Sequence, residues 1–237
     1  ASHAMQAFIV EEIPNGMQIV APFHIITDRS GALDVGTITI EFTAIRKDVI
    51  SVRSWHFEGY QRKEPRFELN KDMQDVDVEI TDEKAIMTAG RMQVCVDRKD
   101  FKIEYKADGK VLTTCGFRNI GYMQYDRSNS TKFPESNYMY SDYTPYMNTE
   151  LSLAPGECVY GMGERFTSFV KNGQVVDCWN EDGGTASQIS YKNIPFYMTN
   201  KNYGILVDHT DNVSFEVASE KVEYVGFSVK GEELRFD

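Results

Sequence analysis

The residues best able to do chemistry crowd into one stretch, 160–197. Tyr160-Gly161-Met162-Gly163-Glu164-Arg165-Phe166 leads into Trp179-Asn180-Glu181-Asp182-Gly183-Gly184-Thr185, and Ile194-Pro195-Phe196-Tyr197 closes it. Glycines beside acids and aromatics let a backbone turn sharply while presenting polar side chains to a ligand. A long solvated loop between strands accounts for the same composition. Carboxylate catalysis needs two acids facing each other across roughly 5–9 Å. Glu181 and Asp182 are adjacent, and in an extended segment adjacent side chains leave opposite faces. They do not read as a facing pair, although one of them could accept a hydrogen bond from a ligand hydroxyl.

Other chemistries find less support. Nucleophilic catalysis of the Ser/His/Asp kind would set His24, His56 or His209 beside an activated serine, and no GxSxG elbow occurs. Gly161-Met162-Gly163 is too short and wrongly flanked to be a dinucleotide or phosphate loop. Cys95, Cys115, Cys158 and Cys178 contain no CxxC pair, and the histidines form no HxxxH or HExxH. Neither a metal nor any other cofactor is therefore expected. Asn129-Ser130-Thr131 and Asn212-Val213-Ser214 fit the glycosylation sequon, a triplet that arises often by chance. The residues offer one ligand-facing loop and no complete catalytic apparatus, which suits a binding module or half of a site.

The elements that must position this loop come from a chain of 237 residues with 41% hydrophobic and 12% aromatic content, enough for a sizeable core. No apolar run is long enough to span a membrane. A formal charge of −11 argues against nucleic acid or an acidic membrane surface as partner. The cysteines read as free thiols in a reducing compartment, so a cytoplasmic location is expected. Residues 1–5 read as an expression leader, although a removed signal peptide stays open, and 6–237 as one domain that stops at a boundary inside a longer protein.

Strand periodicity dominates. Ile38, Ile40 and Phe42 alternate with Thr37, Thr39, Glu41 and Thr43, the pattern of a half-buried strand. Strands are also predicted over 49–57, 76–80 and 85–88. Met92, Val94 and Val96, then Phe101, Ile103 and Tyr105, then 111–115 across an Asp108-Gly109 turn predict a meander with one wet and one dry face. From 122 to 148 periodicity disappears, and this tyrosine-rich segment reads as an irregular excursion, with disorder an open reading around 126–132. Strands at 203–208 and 213–217 read as neighbours, and 222–229 with 233–236 as a last hairpin around Lys230-Gly231. No window sustains helical spacing. The fold expected is all-β, a large antiparallel β-sandwich.

The motifs of 160–166, Val170-Lys171-Asn172-Gly173-Gln174, 179–185 and Tyr191-Lys192-Asn193-Ile194-Pro195-Phe196-Tyr197 closely resemble bacterial α-xylosidases of glycoside hydrolase family 31. The similarity continues through Tyr203-Gly204 and Val213-Ser214-Phe215-Glu216-Val217, with weaker echoes at 118–122 and 55–59. The resemblance implies an amino-terminal sandwich of the galactose-mutarotase-like type, without the (β/α)8 barrel that carries two catalytic aspartates. No catalytic residue is therefore named, and the chain alone is expected to be inactive. It further implies a retaining α-glycosidase, in the first place an α-xylosidase hydrolysing oligosaccharides. The alternatives are an α-glucosidase of the same family and a stand-alone carbohydrate-binding or assembly module.

By motif position, Trp179, Glu181, Asp182 and Thr185 belong to a loop that reaches the leaving-group sugar subsite, with Asp182 similar to the acid that holds sugar hydroxyls there. Trp179 reads equally as a stacking platform or as packing. Glu164 and Arg165 read as a structural ion pair at the loop base. The expected partners are an oligosaccharide, the catalytic barrel docked on an exposed apolar patch, and a second copy of the chain.

Overall fold

The computed structural model describes residues 1–60, 65–126, 143–183 and 187–237. Alternating apolar residues build two layers of antiparallel strands. In the first layer, β2 (Ile9–Ile13), β3 (Gly16–Pro22), β4 (Thr37–Arg46) and β5 (Val49–Trp55) pair in sequence, and β19 (Glu233–Phe236) adds to β5. A three-stranded sheet of β13 (Val159–Gly161), β15 (Phe196–Thr199) and β16 (Gly204–Leu206) continues this layer. The join is made by backbone: Leu206 N–H donates to Asp237 O at 3.0 Å, and Asp237 N–H donates back at 2.9 Å.

The second layer also has two sheets. One is the meander β6 (Asp77–Ile80), β7 (Lys84–Ala89), β8 (Met92–Asp97), β9 (Lys102–Ala107) and β10 (Lys110–Gly116). The other runs β1 (Ser2–His3), β11 (Ile120–Asp126), β12 (Tyr143–Ser152), β18 (Tyr224–Lys230), β17 (Val213–Val217) and β14 (Gln174–Cys178). Ser152 links the two, accepting from Thr114 N–H at 2.9 Å while its carbonyl accepts from the Thr113 hydroxyl at 2.8 Å.

Aromatic contacts fix which sheets face each other. Phe42 on β4 meets Tyr105 on β9 at 6.3 Å, Phe236 on β19 meets Phe227 on β18 at 5.3 Å, and Tyr197 on β15 meets Phe215 on β17 at 6.2 Å. The core is thus a continuous apolar seam between layers, as expected for a sandwich. Among the described residues the one helical element is a 3-10 turn, Ser30–Ala32. Residues 2–5 are bonded into the sandwich, with Ala4 N–H on Ile120 O at 2.8 Å and Met5 N–H on Pro22 O at 2.9 Å.

Three sequence expectations are corrected. The ends of the supposed irregular excursion are strands: β11 and β12 pair from Ile120↔Thr149 to Asp126↔Tyr143. Their period is masked because the buried face of β12 runs Met147, Thr149, Leu151, with a polar residue in the middle. Residues 127–142, including Ser130 and the sequon at Asn129, lie outside the described residues. Next, β16 and β17 are not neighbours; β16 pairs with β15 while β17 pairs with β14 and β18. The buried residues Asp208 and His209 carry the chain between layers there. Likewise β18 and β19 do not form a hairpin. Gly231, at φ 120°, lies in the link between the layers, and β19 pairs with β5. Alternation reports which face is buried and does not say whether a turn stays in its sheet or crosses to the other.

Candidate functional site

The stretch 160–197 has little regular structure, so its shape depends on side-chain hydrogen bonds. Gly163 begins the construction. Its φ of 86° is left-handed, and an added Cβ would lie 2.2 Å from Lys192 O. The chain then turns so that Arg165 points inward. Its Nε donates to Met162 O at 3.1 Å, Nη2 to Asp177 O at 2.8 Å, and Nη1 to Gln188 O at 3.3 Å. Nη2 also donates to Asn193 Oδ1 and lies 3.6 Å from Cys178 Sγ. Three chain segments are thereby tied to one guanidinium, whose rigid fork of donors suits the task.

Asn193 extends the tie to the loop. Its side-chain NH2 donates to Trp179 O at 2.8 Å and Ser190 O at 2.7 Å, and its backbone N–H donates to Asn180 Oδ1 at 2.8 Å. Glu181 N–H donates to Ser190 O at 3.0 Å, beside a parallel bridge between Asn180 and Ser190. Gly183 allows close approach, since a Cβ there would meet Ile189 O at 2.2 Å. Upstream, the buried Lys171 ammonium donates to Thr167 Oγ1 at 3.1 Å and Ser168 O at 2.8 Å. Burial, and next the charge of Arg165, lower its pKa from the ordinary value.

On this scaffold Trp179 is 49% exposed, which favours a contact surface over core packing. Glu181 and Asp182 are both exposed, and neither carboxylate has a hydrogen-bond or ion-pair partner among the described residues. Thr185, with Gly184, lies outside the described residues. Glu164 and Arg165 do not form the expected ion pair. Glu164 pairs instead with Lys192 at 2.7 Å on the surface, because Arg165 is turned in toward carbonyls. The network of Arg165 and Asn193 was not visible as a motif role. An arginine two residues after the Gly161-Met162-Gly163 turn was the available signal.

Exposed apolar side chains concentrate here too. Phe166, Phe169, Tyr191, Ile194 and Met198 are 61%, 79%, 70%, 47% and 49% exposed. Register places Tyr160 opposite Met198 on the outer side of the three-stranded sheet, and the Phe169 ring lies 5.2 Å from that of Tyr160. A separate cleft of ≈ 720 Å³ opens between the layers, with Ile50, Val52, Tyr105, Ile205 and Phe236 on its walls and none of Trp179, Glu181 or Asp182. The histidines serve structure: His56 stacks between Phe23 and Tyr122 at 5.7 and 3.9 Å while its Nδ1 meets Glu232 at 2.7 Å.

Comparison with known proteins adds an independent line. A family model, the glycosyl hydrolase 31 N-terminal galactose mutarotase-like domain, matches residues 39–216. The chain is 38% identical over 225 residues to the α-xylosidase XylQ of Lactiplantibacillus pentosus, covering 94% of this chain and 28% of that protein. It is 38% identical over 219 residues to an α-xylosidase of Emericella nidulans, covering 88% of this chain and again 28% of the relative. The chain thus spans little more than a quarter of either relative's length. Among solved structures, the cycloalternan-forming enzyme of Listeria monocytogenes in complex with a pentasaccharide substrate superposes with a TM-score of 0.75 at 14% identity. That match covers 99% of this chain and 20% of the other, and it bears on the fold.

Proposed function

This chain belongs to glycoside hydrolase family 31 as an N-terminal galactose mutarotase-like domain, and from that membership we propose that it completes the sugar site of a retaining α-glycosidase whose catalytic residues lie on another domain. The enzyme is read as an α-xylosidase cleaving α-xylosidic bonds in oligosaccharides, a reading supported by the two relatives that carry that name. The part played by this chain is to present a loop to the leaving-group sugar.

One observation carries the proposal: Asp182 is a solvent-facing carboxylate without a partner among the described residues, on a loop whose backbone is already pinned from behind. A carboxylate accepts two sugar O–H bonds, and hydrogen bonds to a charged group contribute about 1.5–3 kcal/mol each. A loop held in place before binding loses little further entropy. Trp179 supplies a ring face for stacking, and Glu181 flanks the contact. The exposed side chains Phe166, Phe169 and Met198 form the surface on which the catalytic domain docks, and without it the chain self-associates. The free thiols fit a cytoplasmic enzyme.

The test joins the chain to its catalytic domain and measures hydrolysis of aryl α-xyloside and α-glucoside. The expected result is activity that favours the xyloside, with none from this chain alone. Preference for the glucoside replaces the specificity. Sugar binding by the isolated chain, with no hydrolysis of either substrate by the joined protein, makes this a stand-alone carbohydrate-binding module.

A further inference from the structure

We propose that Arg165 is the positioning residue of the sugar-facing loop, acting through the amide orientation of Asn193; its bearing on sugar rests on the function proposed above. The partners of the guanidinium are unusual. No carboxylate pairs with it among the described residues, and its donors go to the carbonyls of Met162, Asp177 and Gln188 and to Asn193 Oδ1. A charge committed to neutral oxygens on separate segments fixes geometry more than it contributes ion-pair energy.

The consequence lies one residue further on. A side-chain amide has an acceptor oxygen and a donor nitrogen that trade places on flipping. Because Arg165 only donates, it accepts only the orientation with Oδ1 toward it. The NH2 group is then forced toward Trp179 O and Ser190 O, the two carbonyls that frame the loop root. In the flipped state two donors would face each other, and Oδ1 would face two carbonyls. Arg165 thus selects the state in which Trp179 is held and Asp182 projects. An arginine serving only the stability of the sandwich has no reason to control this amide.

The substitution Asn193→Asp separates the two roles. It keeps an acceptor for Arg165, and adds an ion pair, while removing the donors to Trp179 O and Ser190 O. Arg165→Lys is the companion variant, because an ammonium on a flexible stem cannot reproduce the fork. Two readouts apply to the chain as it stands: hydrogen exchange at the Glu181 amide, and acrylamide quenching of Trp179, the exposed member of a pair whose other tryptophan, Trp55, is buried. Positioning predicts that both variants keep the wild-type urea midpoint to first order while exchange at Glu181 accelerates about tenfold or more. Trp179 quenching rises in parallel. Wild-type exchange and quenching in a folded Asn193→Asp variant overturn the inference.

A third readout, kcat/KM of the protein joined to its catalytic domain on an α-xylosyl disaccharide, should fall about tenfold in both variants. If the joined wild-type protein neither binds nor cleaves the disaccharide, the sugar reading fails, yet exchange and quenching still decide the role of Arg165.

Discussion

The meander β6–β10 coheres through apolar side chains, whereas the connecting segments of 160–197 cohere through polar ones. In the meander, Met87, Val94, Val96 and Ile103 are buried on one face, and β7, β8 and β9 pair in register over their length. In the other region the strands are three to five residues long, and Arg165, Lys171, Ser190 and Asn193 hold the connecting segments by their side chains. Apolar burial is tolerant of detail and gives a stable wall. Directional hydrogen bonds fix a few atoms closely, which is what the sugar contact proposed for Asp182 requires. The difference also explains why Phe166, Phe169, Tyr191, Ile194 and Met198 stay outside. They are not used to hold this region together, which suits the docking role proposed for them.

The most direct way to break this contrast is to delete apolar volume on both sides of it. Ile103→Ala should lower stability by about 2–5 kcal/mol in a urea titration, the usual cost of a fully buried aliphatic truncation. Tyr191→Ala, at a 70% exposed position, should leave the same titration unchanged. A comparable loss at Tyr191 would mean that the exposed aromatics are structural after all.

Alkaline pH sharpens the comparison, because Tyr105 in the meander and Lys171 in the other stretch respond with opposite sign. Burial, reinforced by the neighbouring Cys115, holds the Tyr105 phenol well above its ordinary value of 10.0. The unfolded chain releases that proton first, so the contribution is full below pH 10.0 and is lost as pH rises beyond it. Tyr105→Phe should therefore lose less stability above that pH than the wild type, by about 1.4 kcal/mol per pH unit, read from urea midpoints.

Lys171 runs the other way and gives the smallest stability effect. Its pKa lies below the ordinary 10.5 in the native state, so between the two values the unfolded chain binds more protons and stability rises with pH. The contribution is read as the difference in urea midpoint between Tyr105→Phe and the Tyr105→Phe/Lys171→Met double variant, which should move in favour of Lys171 as pH rises across that interval.

Legibility in the sequence follows the same division. The meander could be read residue by residue, because alternation is the direct image of one buried face, and the Asp108-Gly109 turn between β9 and β10 behaves as its composition implies. The paths from β16 to β17 and from β18 to β19 could not, since layer crossing is decided by what lies opposite in space. Thr149 hid a strand by placing a hydroxyl where the period called for an apolar residue. At the candidate site the motif resemblance pointed to the loop that carries Asp182, which is exposed. Adjacency in sequence then misled, because Glu164 and Arg165 looked like an ion pair and serve different segments. Asn193 carried no signal on its own; its importance comes from facing Arg165, Trp179 and Ser190 at once.

Asp182 remains the point on which the account turns. In the enzyme formed with the catalytic domain, Asp182→Ala should lower kcat/KM for an α-xylosyl oligosaccharide about tenfold, the effect of losing one contact of roughly 1.4 kcal/mol. An aryl α-xyloside, whose leaving group offers no sugar hydroxyls, should be cleaved at the wild-type rate. Equal loss on both substrates would contradict the account and make the loop a structural one.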